Sequence, residues 1–196
     1  MTPAQFSDLV WRTLSAPRDM AEWLLSLRLS EAVLWPAFAL VVVLDTLFFQ
    51  LLVMQAPDQV LLVPALASPV LYLALSALWL SGMILLVTGI GRMFGGTAQA
   101  QDVAVLVIWL MGLDALVSGL QAALVAVAPG LVQVVAMIAT FAGIWLSVVF
   151  ISVAHRFTGP FVAMFVLLLS VLGAGLVLGL ALGFLGVSNY GMLQDV

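Results

Sequence analysis

The chain has 196 residues, of which 65% are hydrophobic and 7% charged, with five arginines, no lysine, nine acids and no cysteine. A soluble domain carries about 25% charged residues, so this composition excludes a soluble globule, and its hydrophobicity excludes a disordered chain. Five dispersed arginines make no basic face for nucleic acid, and without cysteine there is no disulfide framework, thiolate metal site, iron–sulfur cluster or Cys nucleophile.

Residues 1–31 are amphipathic. Phe6, Leu9, Val10, Thr13 and Leu14 fall on one helical face. Pro17 suits the start of a second helix, with Met20, Trp23, Leu24 and Leu27 on one side and Arg18, Asp19, Glu22 and Arg28 mostly on the other. The spacing predicts one or two amphipathic helices, lying on the inner membrane face or packed against the cytoplasmic end of a bundle. A signal peptide would need an early apolar core instead.

Residues 32–187 then hold five apolar stretches of the length that crosses about 30 Å of hydrocarbon. They run about 32–54, 69–92, 102–127, 130–155 and 159–187, the second with an apolar lead-in from Val60 broken by Pro64 and Pro69. The fold class is therefore all-α: a polytopic membrane protein with an N-terminal interfacial segment. The joining segments are short and hold the expected breakers: Gln55 to Asp58, Phe94 to Gln101, Ala128 to Gly130, and Arg156 to Pro160. Neighbouring spans must then be antiparallel. Arg12, Arg18 and Arg28 precede the first span, Arg92 follows the second and Arg156 the fourth, so all five arginines share one side. By the positive-inside rule that side is cytoplasmic. The expected placement is a bacterial inner membrane, with the N-terminus inside and the short tail 188–196 outside.

Leu14-Ser15-Ala16-Pro17-Arg18-Asp19, the loop Ile90-Gly91-Arg92-Met93-Phe94-Gly95-Gly96-Thr97 followed by Gln99-Ala100-Gln101, and Gly143-Ile144-Trp145-Leu146 leading to Ala154-His155 carry a likeness. With this layout, the chain resembles the bacterial branch of the Yip (Ypt-interacting protein) membrane family over nearly its whole length. The resemblance implies five spans, a cytoplasmic N-terminal segment and a role in membrane organisation or trafficking. The Asp-Leu-Tyr-Gly-Pro-type signature of the eukaryotic members is absent, and with it the ground for expecting a GTPase partner.

Two acids fall inside spans, Asp45 in the first and Asp114 in the third, at similar depth. An unpartnered Asp there costs about 2.5–3.5 kcal/mol on insertion scales. Gln50 and Gln121 follow them along the same helices. The four form either a proton or cation relay, or a polar lining, or interhelical glue, the last being favoured. If the two carboxyls meet, one is expected to stay protonated and bridge to the other. His155, the only histidine, ends the fourth span beside Arg156. It reads as an interfacial residue at a helix C-terminus, where positive charge is favoured, with pH sensing as the alternative. Arg92, Gly95, Gly96, His155 and Arg156 are candidate contacts on the cytoplasmic face. Small residues recur every four positions at Gly175, Gly179 and Gly183 and at Ala139, Gly143 and Ser147. Such ridges let helices approach closely, within the chain by default or between copies. Trp79, Trp109 and Trp145 are expected inside the bundle.

Enzyme motifs are incomplete. Gly112-Leu113-Asp114 lacks the second glycine of an intramembrane aspartyl protease motif, and no Tyr precedes Asp45. Val117-Ser118-Gly119 lacks the first glycine of a rhomboid motif. Gly91 to Gly96 terminates a helix and follows no strand, so it is no phosphate cradle. One His and no Cys make no metal site. The expectation is a non-enzymatic membrane protein with no cofactor or metal. Its partners are membrane lipids and other membrane proteins or its own copies, in a scaffolding or organising role. The alternative is a small oligomeric transporter, channel or lipid-moving protein using Asp45 and Asp114 as its polar pathway. Where those two carboxyls point decides between them.

Overall fold

The computed structural model describes residues 3–55 and 67–184. The first interspan segment beyond Gln55, the lead-in from Val60, the last residues of the fifth span and the tail 188–196 lie outside the described residues. Those described form seven helices and no strand. They are α1 (Pro3–Ser15), α2 (Pro17–Ser26), α3 (Glu31–Gln55), α4 (Pro69–Met93), α5 (Ala100–Val127), α6 (Pro129–His155) and α7 (Pro160–Phe184). The last five are long and apolar enough to cross a membrane. At 1.5 Å per residue they reach about 37–42 Å, enough to span the hydrocarbon with some tilt.

The helix starts have local causes. Proline occupies the first turn of α2, α4 and α6, where its missing N–H costs nothing. The Ser68 hydroxyl accepts from the Leu71 N–H ahead of α4. Gln99 and Asp102 close a capping box at the start of α5, with the Gln99 N–H donating to Asp102 Oδ2 at 2.9 Å. Three hydroxyls inside the apolar spans are satisfied at home: Thr46, Thr88 and Thr140 each donate to the carbonyl four residues back.

Helix α3 packs chiefly on α5, α5 on α6 as well, and α7 on α4 and α6. Glycines in the third and fifth spans permit this closeness. A Cβ on Gly112 would meet Val41 at 3.6 Å, one on Gly119 would meet the Phe48 ring at 3.1 Å, and one on Gly173 would meet Leu86 at 3.2 Å. The core gathers at one end, where α4 and α6 finish and α5 and α7 begin. All six buried residues of α6 fall between Leu146 and His155, and those of α7 between Ala163 and Ala174. The opposite ends are apolar and exposed, Val127 and Phe184 among them. Such a surface suits lipid rather than water.

The arginine-bearing end is closed by α1 and α2. Met20, Ala21 and Leu24 of α2 are buried against α5 and α6, and Thr13 of α1 is fully buried. The Trp109 indole N–H donates to the Thr13 hydroxyl at 3.1 Å, and Phe6 meets the same indole edge-on. The amphipathic segment is therefore packed on the bundle through its apolar faces. Phe6, Leu14 and Leu27, placed on the apolar faces by their spacing, are nonetheless exposed, and Arg28, at φ 44°, turns the chain out of α2.

Candidate functional site

The intramembrane acids separate. Asp45 of α3 is buried and accepts a hydrogen bond from the Ser76 hydroxyl of α4 at 2.5 Å. Tyr72, one turn before Ser76, has its hydroxyl within reach of the same carboxyl, and its ring stacks on Phe49 at 4.0 Å. Asp45 thus holds α3 against α4. Asp114 of α5 lies in the neighbourhood of Asp45. Yet no described residue donates a hydrogen bond to it, and its side chain is accessible. The expected bridge between the two carboxyls is absent, because Ser76 occupies Asp45 while Asp114 looks elsewhere.

Asp114 looks into a groove of about 430 Å³ bounded by α4, α5 and α6, with Leu167 of α7 and Val10 and Leu14 of α1 completing its lining. The wall is almost wholly apolar. Apart from Asp114, its side-chain polar groups are the Ser147 hydroxyl and the Trp79 indole N–H, and no arginine lines it. The ridge Ala139, Gly143 and Ser147, expected to seat another helix, forms part of this wall instead. A Cβ on Gly143 would meet nothing within 4 Å. The small side chains leave space, and the groove is that space.

Among the described residues, the glycine ridge of α7 is also without a close neighbour. Added Cβ atoms on Gly175, Gly179 and Gly183 meet nothing within 4 Å, so no described helix of the chain packs closely on it. The ridge lies on the exposed outer part of α7, beyond its last buried residue, Ala174. Gln50 and Gln121 are half-buried on α3 and α5, and neither joins the groove lining. Trp79 lines the groove as a bundle residue, but Trp145 is 48% exposed and faces outward, contrary to expectation.

At the arginine-bearing end, two helix C-termini meet around one imidazole. Helix α4 ends with Gly96 N–H bonded to the Gly91 carbonyl at 2.9 Å and Gly95 at φ 84°. Helix α6 ends in the same way, with Phe157 N–H bonded to the Ser152 carbonyl and Arg156 at φ 56°. Both are left-handed caps. His155 sits between them, 1% exposed. Its ring stacks on Phe157 at 5.2 Å, and the Thr97 N–H reaches its carbonyl at 3.4 Å. A Cβ on Gly91 or Gly96 would collide with the imidazole, which explains why neither position has a side chain. Both ring nitrogens lack a hydrogen-bond partner; the Val87 carbonyl faces the ring without normal hydrogen-bond geometry. The interfacial reading of His155 is corrected accordingly: the ring fills the gap left by two glycines and offers no surface to a partner. Arg92, Gly95 and Arg156 do stay exposed, Arg92 donating from Nε to the Ala98 carbonyl at 3.0 Å.

Sequence reasoning missed Ser76 and Tyr72 as the partners of Asp45, and it missed the Thr13–Trp109 bond. A polar residue in the second span at the depth of Asp45 was the available signal for Ser76. Among the described residues, no three His, Asp or Glu side chains converge on a point where a metal would sit. No family model, no curated protein and no solved structure matches this chain.

Proposed function

We propose that this chain is a non-enzymatic multi-pass membrane protein of the Yip-like type, working through contacts with membrane lipids and with other membrane proteins, its own copies included. The observation that carries this reading is the use of Asp45. A buried acid bonded to Ser76 of the adjacent helix holds helices together, and it is not part of the groove lining. The open glycine ridge of α7 adds a face on which a second membrane helix packs closely. The positive-inside rule supports a cytoplasmic N-terminus, and the bacterial inner membrane is part of the same proposal.

The test is recovery of the tagged chain from native membranes after cross-linking, with partners identified by mass. Discrete adducts that disappear when Gly179 is enlarged to Leu are expected. A chain that stays monomeric and unattached at native abundance would refute the scaffold reading. The transport alternative draws on the accessible Asp114. It is tested by ion and proton flux in proteoliposomes, with and without Asp45→Asn and Asp114→Asn together. Flux lost in a folded variant would replace the scaffold reading with transport.

A further inference from the structure

We infer that the groove beside Asp114 is a binding site for a lipophilic monocation: an apolar chain carrying one ammonium or similar positive group. The groove's volume, about 430 Å³, falls within the range of small-molecule sites. Its apolar walls match an aliphatic or aromatic body. The charge complementarity comes from Asp114. No described residue donates to this carboxyl, and no arginine lines the groove. A carboxyl in that setting is completed by a cationic or hydrogen-bonding donor arriving with the ligand. An anionic chain would meet an acid of its own sign, and a neutral chain would bring at most a hydrogen bond without the charge. The opposite wall is cut back to Ala139, Gly143 and Ser147, so the space facing the α5 acid is held open by small residues. This inference is separate from the scaffold reading, since neither the glycine ridge of α7 nor any protein partner enters it.

Trp79 lines the groove and supplies the readout. The full chain is reconstituted in phosphatidylcholine vesicles. Three nitroxide-labelled dodecyl probes are added in turn: a trimethylammonium, an alcohol and a carboxylate. All three partition into the bilayer and quench tryptophan in proportion to their mole fraction. A saturable component that is lost in Trp79→Phe reports the groove. The expected result is saturable quenching by the ammonium probe alone. Asp114→Asn should weaken it about tenfold or more, the loss expected when a charged partner is removed. Gly143→Leu should abolish it, because the added side chain enters the empty space.

Equal saturation by the alcohol or the carboxylate would overturn the proposal in favour of an acyl-chain groove indifferent to charge. Unchanged affinity in folded Asp114→Asn, or no saturable component at all, would overturn it too. So would quenching of Trp79 by a nitroxide fixed on a second copy of the chain, which would make the groove an interface. If Asp114→Asn fails to fold, by helical circular dichroism and gel filtration, the comparison of the three probes on the unmodified chain still decides.

Discussion

Gly91→Ala is the sharpest probe of the packing at the arginine-bearing end. The three heavy atoms nearest the new methyl are all of the His155 imidazole, Cε1, Nε2 and Nδ1, and it would overlap them. The ring has little freedom to retreat, since Phe157 stacks on it and Gly96 closes on Nδ1, Cγ and Cβ. Overpacking of this kind costs about 1–3 kcal/mol. Gly91 is helical, so alanine also returns up to about 1 kcal/mol of helix propensity. The net expectation is a loss of about 0–2 kcal/mol. In a His155→Ala background the collision vanishes and only the propensity remains, so the same substitution should stabilise by up to about 1 kcal/mol. The sign reverses, with a coupling of about 1–3 kcal/mol. Gly96→Ala should keep part of its cost in that background, because one of its collisions is with the His155 Cβ, which alanine retains. Gly95→Ala should cost about 1–2 kcal/mol through its left-handed φ alone and show no coupling. Reversible unfolding in mixed detergent micelles, followed by circular dichroism, measures all of these. A Gly91→Ala cost that is the same with and without the imidazole would refute the cradle.

Four further expectations follow from the same contacts. Ser76→Ala should cost about 1–3 kcal/mol by leaving the buried Asp45 acceptor short of a donor; Ser76→Thr keeps the hydroxyl and should cost less, and equal midpoints for the two would remove the hydrogen bond from the account. Trp109→Phe should cost about 1 kcal/mol and loosen α1, seen as faster tryptic cleavage at the exposed Arg12; unchanged cleavage would mean that the indole does not anchor the helix. Gly179→Leu should shift the unfolding midpoint of the monomer by no more than about 0.5 kcal/mol, and a large loss would reveal a close neighbour within the chain. In the cysteine-free chain, Thr158→Cys and Gly130→Cys should react with an impermeant maleimide from opposite sides of sealed vesicles, Thr158→Cys from the cytoplasmic side; labelling of both from one side would refute the topology.

The spans were legible because each is a run of about 20 apolar residues, and hydrocarbon thickness leaves little latitude in what such a run does. Their order, and the grouping of Arg92 with Arg156, followed from connections too short for any but antiparallel neighbours. The face of the amphipathic segment was legible in part through periodicity: of the residues placed on the apolar side, Thr13, Met20 and Leu24 are buried, whereas Phe6, Leu14 and Leu27 are exposed. His155 shows where such reading stops. Its position at a helix end suggested a charge in water, whereas Gly91 and Gly96, separate in sequence from it, create the gap that the ring fills. The small-residue ridges show the same limit. Gly112 and Gly119 seat α3, but Gly143 borders a groove and Gly179 borders open space, although all four are glycines in apolar helices.

By itself, then, the amino-acid sequence determined an all-helical chain with five membrane-length spans and an amphipathic lead, because composition and periodicity act along one helix at a time. Only the tertiary structure decided that Asp45 is held by Ser76, that Asp114 opens on a groove, and that an imidazole fills the space left by two glycines. Those outcomes depend on which helix stands opposite and at what height, and that information resides in no single span.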